Sequence, residues 1–398
     1  MSRAIISLNS GSSSIKFGLY RLTPDGPQHA AGGKLEGIGT DPRVVIRADD
    51  GQVLLDKRWP DGAGLTHEPL LGELYDWAAA HLEGYEIVAV GHRVVHGGGA
   101  FWEPQLIDSD LVSKLEAFCP LAPLHEPHNL AAIREIARKS PHLVQIACFD
   151  TGFHHALPAV ASRLPIPRAL SEKGMRRYGF HGLSYEFIAR ELAELDPLLA
   201  QGRVIAAHLG NGASMCAMLA GQSIDTTMGF TALDGLMMGT RTGSLDPGVV
   251  VHLQLQEGMS AQAVEALLYR QSGLLGVSGV SSDMRALHAS DDPHAAEAIE
   301  LFVWQAARQA AALICSLDGL DGLVFTAGIG ENDPAIRAAI CARLGWAGVV
   351  LDEDANIAGS AVISAPASRV KVRVIPTDEE RMIALHSFRL WNSLQGAA

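Results

Sequence analysis

Two stretches of this chain echo one another, and together they limit its fold more than any other feature. Ile5–Tyr20 reads IISLNSGSSSIKFGLY, and Arg203–Leu219 reads RVIAAHLGNGASMCAML. In each, a turn of small residues joins two apolar runs of strand character. Laying Leu8–Ser13 onto Leu209–Ser214, 201 residues later, matches a leucine, a glycine and a serine. A duplicated hairpin-bearing domain would leave this trace, and so would coincidence among turn residues.

A chain of 398 residues can hold two ordinary domains or one large one, each with its own core. Its 31 basic and 44 acidic residues give a net charge of −13 with no Lys/Arg block, which argues against a nucleic-acid partner. Cys119, Cys148, Cys216, Cys315 and Cys341 are scattered singly, with no CxxC pair. Neither a disulfide frame nor a thiolate metal site is expected, and a reducing cytoplasm suits them. MSRAIISLNSGSS turns polar too soon for a signal peptide, and no apolar run reaches the roughly 18 residues of a membrane span.

The segments AIISL, IKFGLY, KLEGI, RVVIRA and QVLLDK alternate at hairpin spacing, an antiparallel opening. From LTHEPLLGELYDWAAAHLEG onward, helical periods alternate with apolar strands such as EIVAVGHRVV and HLVQIACFD, the rhythm of a mixed α/β layer. The first domain is expected to close near Asp150. HALPAVASRLPIPRALSEKG follows without clear periodicity, and the second hairpin then opens a new set of strands.

The first hairpin tempts a phosphate-loop reading, which fails on three counts. After Gly11 no second glycine precedes Lys16, Phe17 stands where Ser or Thr is needed, and IKFGLY continues as a strand instead of a helix. If it meets phosphate, it does so as a hairpin tip of Ser10–Ser14 with exposed donors and the charge of Lys16; otherwise it is an ordinary turn. Three further strand ends are glycine-rich or polar: HLGNGAS, GTRTGSLDPG and GLVFTAGIGEN. In the last, a backbone-exposing turn meets a helix start with Asp333 as cap and Pro334 in the first helical position. Several such loops in one chain favour a nucleotide.

LNSGSSSIKF, GHRVVHGG, PLHEPHN, CFDTGFH, RYGFHG, HLGNGAS, MGTRTGSLDPG, TAGIGEN and PTDEE occur in this order, and the chain resembles the acetate kinase family from about Ala4 to His386. The resemblance implies an α/β fold of two ribonuclease-H-like, actin-like ATPase domains with mixed sheets flanked by helices and the nucleotide in the interdomain cleft. The domains would be 1–150 plus about 380–398, and 151–379. It implies a homodimer and reversible, magnesium-dependent phosphoryl transfer from ATP to acetate, giving acetyl phosphate and ADP, with manganese as an alternative ion. Propionate kinase and a non-catalytic actin-like ATP-binding protein are the competing readings.

On that resemblance Asp150, His181 and Arg241 are the catalytic candidates. Asp150 also ends an apolar strand, where cleft carboxylates tend to sit. Arg93, Val95, Leu124, His125, Phe180 and Ala232 would bind the acid, and an arginine fork grips a carboxylate or phosphoryl group in a way lysine cannot. Lys16, His208, Leu209, Gly210, Asn211, Gly212, Asp283, Met284, Arg285, Gly328, Ile329, Gly330, Glu331 and Asn332 would bind the nucleotide. Asn9 and Glu379 would hold the metal. TDEERMIALHSF reads as a capping box of Thr377 with Glu380, placing Glu379 in a helix's first turn. HEPH and the pair His154–His155 offer no further ligand set, so a histidine metal site is not expected.

Two departures from the family pattern stand out. FTALDG replaces the usual FTPLEG, so Ala232 stands for a proline in the acyl pocket and Asp234 for a glutamate. A smaller wall would suit propionate, by about 1 to 2 kcal/mol if the space is vacated. PTDEE carries Asp378 where asparagine is usual, a change expected to be neutral at a helix start.

Overall fold

The computed structural model describes residues 1–11, 14–81 and 84–396. The chain divides into two compact units, Met1–Gly152 with Asp378–Ala398, and Phe153–Thr377. Glu379, placed in the second domain by the sequence-based boundary, therefore lies in the first unit. Ser12 and Ser13 of the proposed polar tip lie outside the described residues.

The first unit opens with five antiparallel strands: β1 (Ser2–Ser10), β2 (Ser14–Thr23), β3 (Gly26–Glu36), β4 (Arg43–Ala48) and β5 (Val53–Arg58). β6 (Tyr85–Val94) lies parallel to β1, and β8 (Val144–Phe149) parallel to β6, with the two-residue β7 (Gln105–Leu106) antiparallel at the edge. The sheet order is β5-β4-β3-β2-β1-β6-β8-β7. The second unit holds β9 (Arg203–Leu209), β10 (Ala213–Leu219), β11 (Gln222–Thr226), β12 (Gly322–Thr326) and β13 (Lys371–Val374) in the order β11-β10-β9-β12-β13. Here too a three-strand antiparallel meander is followed by two strands parallel to its first member. Both sheets thus share one pattern, β3-β2-β1-β6-β8 and β11-β10-β9-β12-β13.

The echo is one of topology, and its register differs from the sequence match. β1 ends at Ser10 and β9 at Leu209, while β2 begins at Ser14 and β10 at Ala213. The two turns are therefore 199 residues apart, not 201, and the three matched identities do not occupy equivalent places. Small turn residues recur in both because both tips need them.

Helix Glu379–Gly396 packs on the first sheet by burying Met382, Ile383, Ala384 and Trp391. Side chains such as Met382 and Ile383 contribute about 1.5 to 3 kcal/mol each when fully buried. The approach is close because β6 presents Gly91, where a Cβ would collide with Ser387 and Ile383. The helix is capped by Asp378, whose Oδ1 accepts from Arg381 N at 2.8 Å. The expected capping box is absent: Thr377 Oγ1 bonds Ser184 Oγ at 2.8 Å, and Glu380 turns its carboxylate to Asn9. Among the described residues no helix is long and apolar enough to cross a membrane.

Candidate active site

The predicted residues fall into two clusters, one in each unit. In the first, β1 and β6 run parallel and bring Asn9 and Arg93 to the same end of the sheet, where β8 delivers Asp150 immediately after its last residue. Arg93 Nη2 donates to Asp150 Oδ2 at 2.8 Å, with the arginine side chain 10% exposed and the aspartate 0%. Arg93 Nη1 also reaches Asn9 Oδ1 at 3.5 Å, and its Nε has no hydrogen-bond partner among the described residues. Burial opposes the guanidinium charge, but Asp150, Glu379 and Glu380 more than offset it, so Arg93 holds its proton even more firmly than usual.

Asn9 Nδ2 donates to Glu379 Oε2 at 2.7 Å and to Glu380 Oε1 at 3.1 Å. Burial and the neighbouring Glu379 push the Glu380 carboxyl upward, while Lys16, exposed on β2, pulls it down. Two adjacent carboxylates gathered on one asparagine form a hard-oxygen cluster, and they fit a divalent cation that completes its shell with water and phosphate. Among the described residues no trio of His, Cys, Asp or Glu is grouped for a metal.

Val95 is buried, and Leu124 and His125 are half-buried ahead of helix Glu126–Lys139. The hairpin end is fixed by Asn129 Nδ2, which donates to Ser10 O at 2.7 Å while its Oδ1 accepts from Val95 N at 3.0 Å. His67 Nε2 donates to Gly11 O at 2.7 Å. Glu126, fully buried, accepts from His96 N at 3.1 Å; burial pushes its carboxyl up to about 8.

The second cluster is built on the β9–β10 hairpin and on helix Gly182–Leu195. His181 precedes that helix in the left-handed region, φ +58°, a conformation non-glycine residues hold only where surroundings enforce it. His154 enforces it from behind: its Nε2 donates to Phe180 O at 3.0 Å and its Nδ1 meets Ser223 Oγ at 2.7 Å. Both ring nitrogens of His154 are thus used within the core. His181 stacks on His208 with ring centroids 4.1 Å apart. Its Nδ1 meets Ser214 Oγ at 2.8 Å, and His208 Nδ1 meets Ser184 Oγ at the same distance.

Arg241 is buried and donates from Nη1 to Ala232 O at 2.6 Å. Its Nη2 and His181 Nε2 converge over Gly212, where a Cβ would lie 2.8 and 3.4 Å from them. Gly239 likewise makes room for Asn211 and donates its N–H to Asn211 O at 3.0 Å. Phe180 and Ala232 are buried, and so are Leu209 and Met284, interior side chains that leave only backbone for a ligand. Asp283 caps its helix through Arg285 N at 2.9 Å and pairs with the exposed Arg285 side chain at 2.6 Å.

AGIGEN is not an open turn. It forms the short helix Ala327–Asn332 directly after β12, entered through Ala327 at φ +65°, and Asp333 with Pro334 starts the next helix as its residue types predict. Glu331 Oε1 accepts from Ala327 N at 2.7 Å and Thr377 N at 3.1 Å, so this carboxylate braces the loop. Buried Arg337 donates to Gly330 O at 3.0 Å and Glu331 O at 2.8 Å. Gly328 and Asn332 stay exposed.

Residue-type reasoning missed Glu380, Ser214, Tyr185, Glu126 and Arg337. Tyr185 carried a signal, since it lies four residues after His181 and one helical turn returns it to the same face. Ser214 lies just beyond a glycine-rich tip.

The acetokinase family profile matches residues 4–385. The acetate kinase of Rhodopseudomonas palustris (strain TIE-1) is 52% identical over 395 residues, covering 98% of this chain and 99% of that one. The acetate kinase of Methylocella silvestris is 47% identical over 404 residues, covering 100% of both. Among solved structures, a propionate kinase from Francisella tularensis superposes with a TM-score of 0.87 at 38% identity, covering 97% of this chain and 99% of that one. Porphyromonas gingivalis acetate kinase gives 0.82 at 35%, covering 98% and 99%. The mixed sheets flanked by helices are those of the actin-like ATPase fold, and the non-catalytic reading falls. The chain belongs to the acetokinase family, phosphotransferases with a carboxylate acceptor that take ATP and acetate as substrates and require a divalent metal.

Proposed function

We propose that the first-unit cluster receives the carboxylate and the metal, and that the second-unit cluster stabilises the phosphoryl group in transfer from ATP to acetate. The observation that carries this reading is Arg93, a buried guanidinium whose Nε hydrogen lacks a partner among the described residues. A carboxylate is already ionised at pH 7 and needs no base, so the barrier to overcome is repulsion between two anions. Arg93 supplies the grip on the acid, with Val95 and Leu124 as apolar wall and His125 as a further donor. Asp150 holds Arg93 in orientation. Arg241 and His181 aim donors at the phosphoryl oxygens, the positioning catalysis such transfers depend on. In the second unit His208, the 210–212 turn, Asp283–Arg285 and Gly328–Asn332 take the nucleotide, and in the first Lys16 offers a phosphate its charge.

Asn9 and Glu379, joined by Glu380, would hold the metal, with Mg2+ the best match to an all-oxygen donor set and Mn2+ an alternative. Bound there, it would neutralise phosphate charge. The physiological setting is the cytoplasm, in keeping with five cysteines scattered singly along the chain. Homodimerisation is supported by helix Pro247–Leu255, which buries none of its residues while exposing Val249, Val251 and Leu255.

A second reading, propionate as preferred acid, is favoured by Ala232 and by the likeness to a propionate kinase. A hydroxamate assay with acetate, propionate and butyrate tests both. Acyl phosphate from acetate at the highest kcat/KM is the expected result; a higher kcat/KM for propionate selects the second reading, and no product from any acid sinks both.

A further inference from the structure

We infer that Tyr185 and Ser214 form a positioning relay that keeps the His181 proton on Nε2. The inference rests on the reading that His181 donates to the phosphoryl group in transfer. The Tyr185 hydroxyl is hydrogen-bonded to Ser214 Oγ, and Ser214 Oγ to His181 Nδ1 at 2.8 Å. Tyr185 and Ser214 are both 0% exposed.

A serine has one proton to give, so its two neighbours set the polarity of the line. If Tyr185 donates to Ser214 and Ser214 donates to Nδ1, each bond carries one proton and the neutral imidazole bears N–H at Nε2. With the opposite polarity His181 would donate inward, and Nε2 would point a lone pair at an anion. The outward nitrogen is the one that converges with Arg241 Nη2 over Gly212. The relay therefore supplies a neutral donor beside a cationic one.

The other constraints on His181 leave this task to Ser214. Stacking on His208 fixes the plane of the ring, and His208 is anchored separately through Ser184 and Thr377. His154 holds the Phe180 carbonyl, and so the backbone. Of these contacts, the one at Nδ1 is the one that bears on the tautomer.

The test compares Ser214→Ala, Ser214→Thr, Tyr185→Phe and His181→Gln in the full-length protein, by acyl hydroxamate kinetics and by 15N NMR of histidine-labelled enzyme. Ser214→Ala should lower kcat about 30- to 100-fold with KM for acetate and ATP within about threefold, the signature of a contact that matters in the transition state. Tyr185→Phe should lower kcat about three- to tenfold, and Ser214→Thr should restore it to within about threefold of wild type. The His181 resonances, identified by their loss in His181→Gln, should show protonated Nε2 in the wild type and mixed tautomers in Ser214→Ala. If His181→Gln is inactive while Ser214→Ala keeps wild-type kcat and tautomer, the relay is overturned and the site reading stands. If His181→Gln keeps wild-type kcat, the site reading fails instead. A Ser214→Ala loss that Thr does not rescue, with the tautomer unchanged, reduces Ser214 to a packing role and overturns the relay.

Discussion

On the proposed reading, the two clusters would meet one electrostatic problem by opposite means. The first is crowded with formal charge: Arg93, Asp150, Glu379, Glu380 and Lys16 around one asparagine. At its His181–His208 pair the second sets Arg241 among imidazoles, hydroxyls and a glycine turn, with Asp283 and Arg285 neutralising each other. Acetate and a metal arrive as ions and are best met by ions. A phosphoryl group in flight spreads its charge over several oxygens and is better met by fixed dipoles that need not reorganise. The contrast predicts that damage to the first cluster harms folding and function together, whereas damage to the second harms function alone.

The largest effect should follow Arg93→Ala. Removing one partner of a buried pair takes from Asp150 the cation it is paired with, at a cost of about 3 to 5 kcal/mol in stability, together with loss of measurable activity. Urea denaturation and the hydroxamate assay read the two effects; a variant that is inactive but fully stable would contradict the contrast. Arg241→Ala should cost about 3 to 4 kcal/mol of transition-state stabilisation, a hundred- to a thousandfold in kcat, with the urea midpoint near wild type. A loss under tenfold would mean that Arg241 is the wrong arginine.

Glu126 gives a pH test of the first cluster. Its folded carboxyl is raised to about 8, so the stability it contributes is fully present below the ordinary carboxylate range and is lost as pH rises through about 8. From pH 5 to 8 the wild type should lose on the order of 3 kcal/mol that Glu126→Gln retains, visible as a smaller shift in urea midpoint for the variant. Parallel pH profiles for the two proteins would rule this out. The smallest effect belongs to Gly212→Ala, whose Cβ would press on Arg241 Nη2 at 2.8 Å. A drop in kcat of about tenfold with unchanged stability is expected, since sub-ångström displacement of one donor is the only damage.

Legibility in the sequence followed contact range. Arg93 and Arg241 are singled out by residue type and by the family resemblance, whereas the Asp333–Pro334 helix start and the end of an apolar strand at Asp150 depend on neighbours a few residues away and could be read locally. Glu380 could not, because the same residue satisfies a capping-box spacing, and only the arrival of Asn9, 371 residues earlier, shows where its carboxylate goes. AGIGEN looked like a turn because its glycines are poor helix formers. The bond from Ala327 N to Glu331 and the grip of Arg337 on Gly330 override that preference. Ser214 was hidden likewise, since its partners lie on a helix some 30 residues away.

Helix Glu379–Gly396 carries one more consequence. It delivers both Glu379 and Glu380 to a sheet whose other strands are all complete by residue 149. A polypeptide cut short anywhere before Glu379 would lack both acidic groups and leave the face of β1 and β6 bare and sticky. The carboxylates proposed to hold the metal thus arrive late in synthesis, after every strand of the sheet they reach.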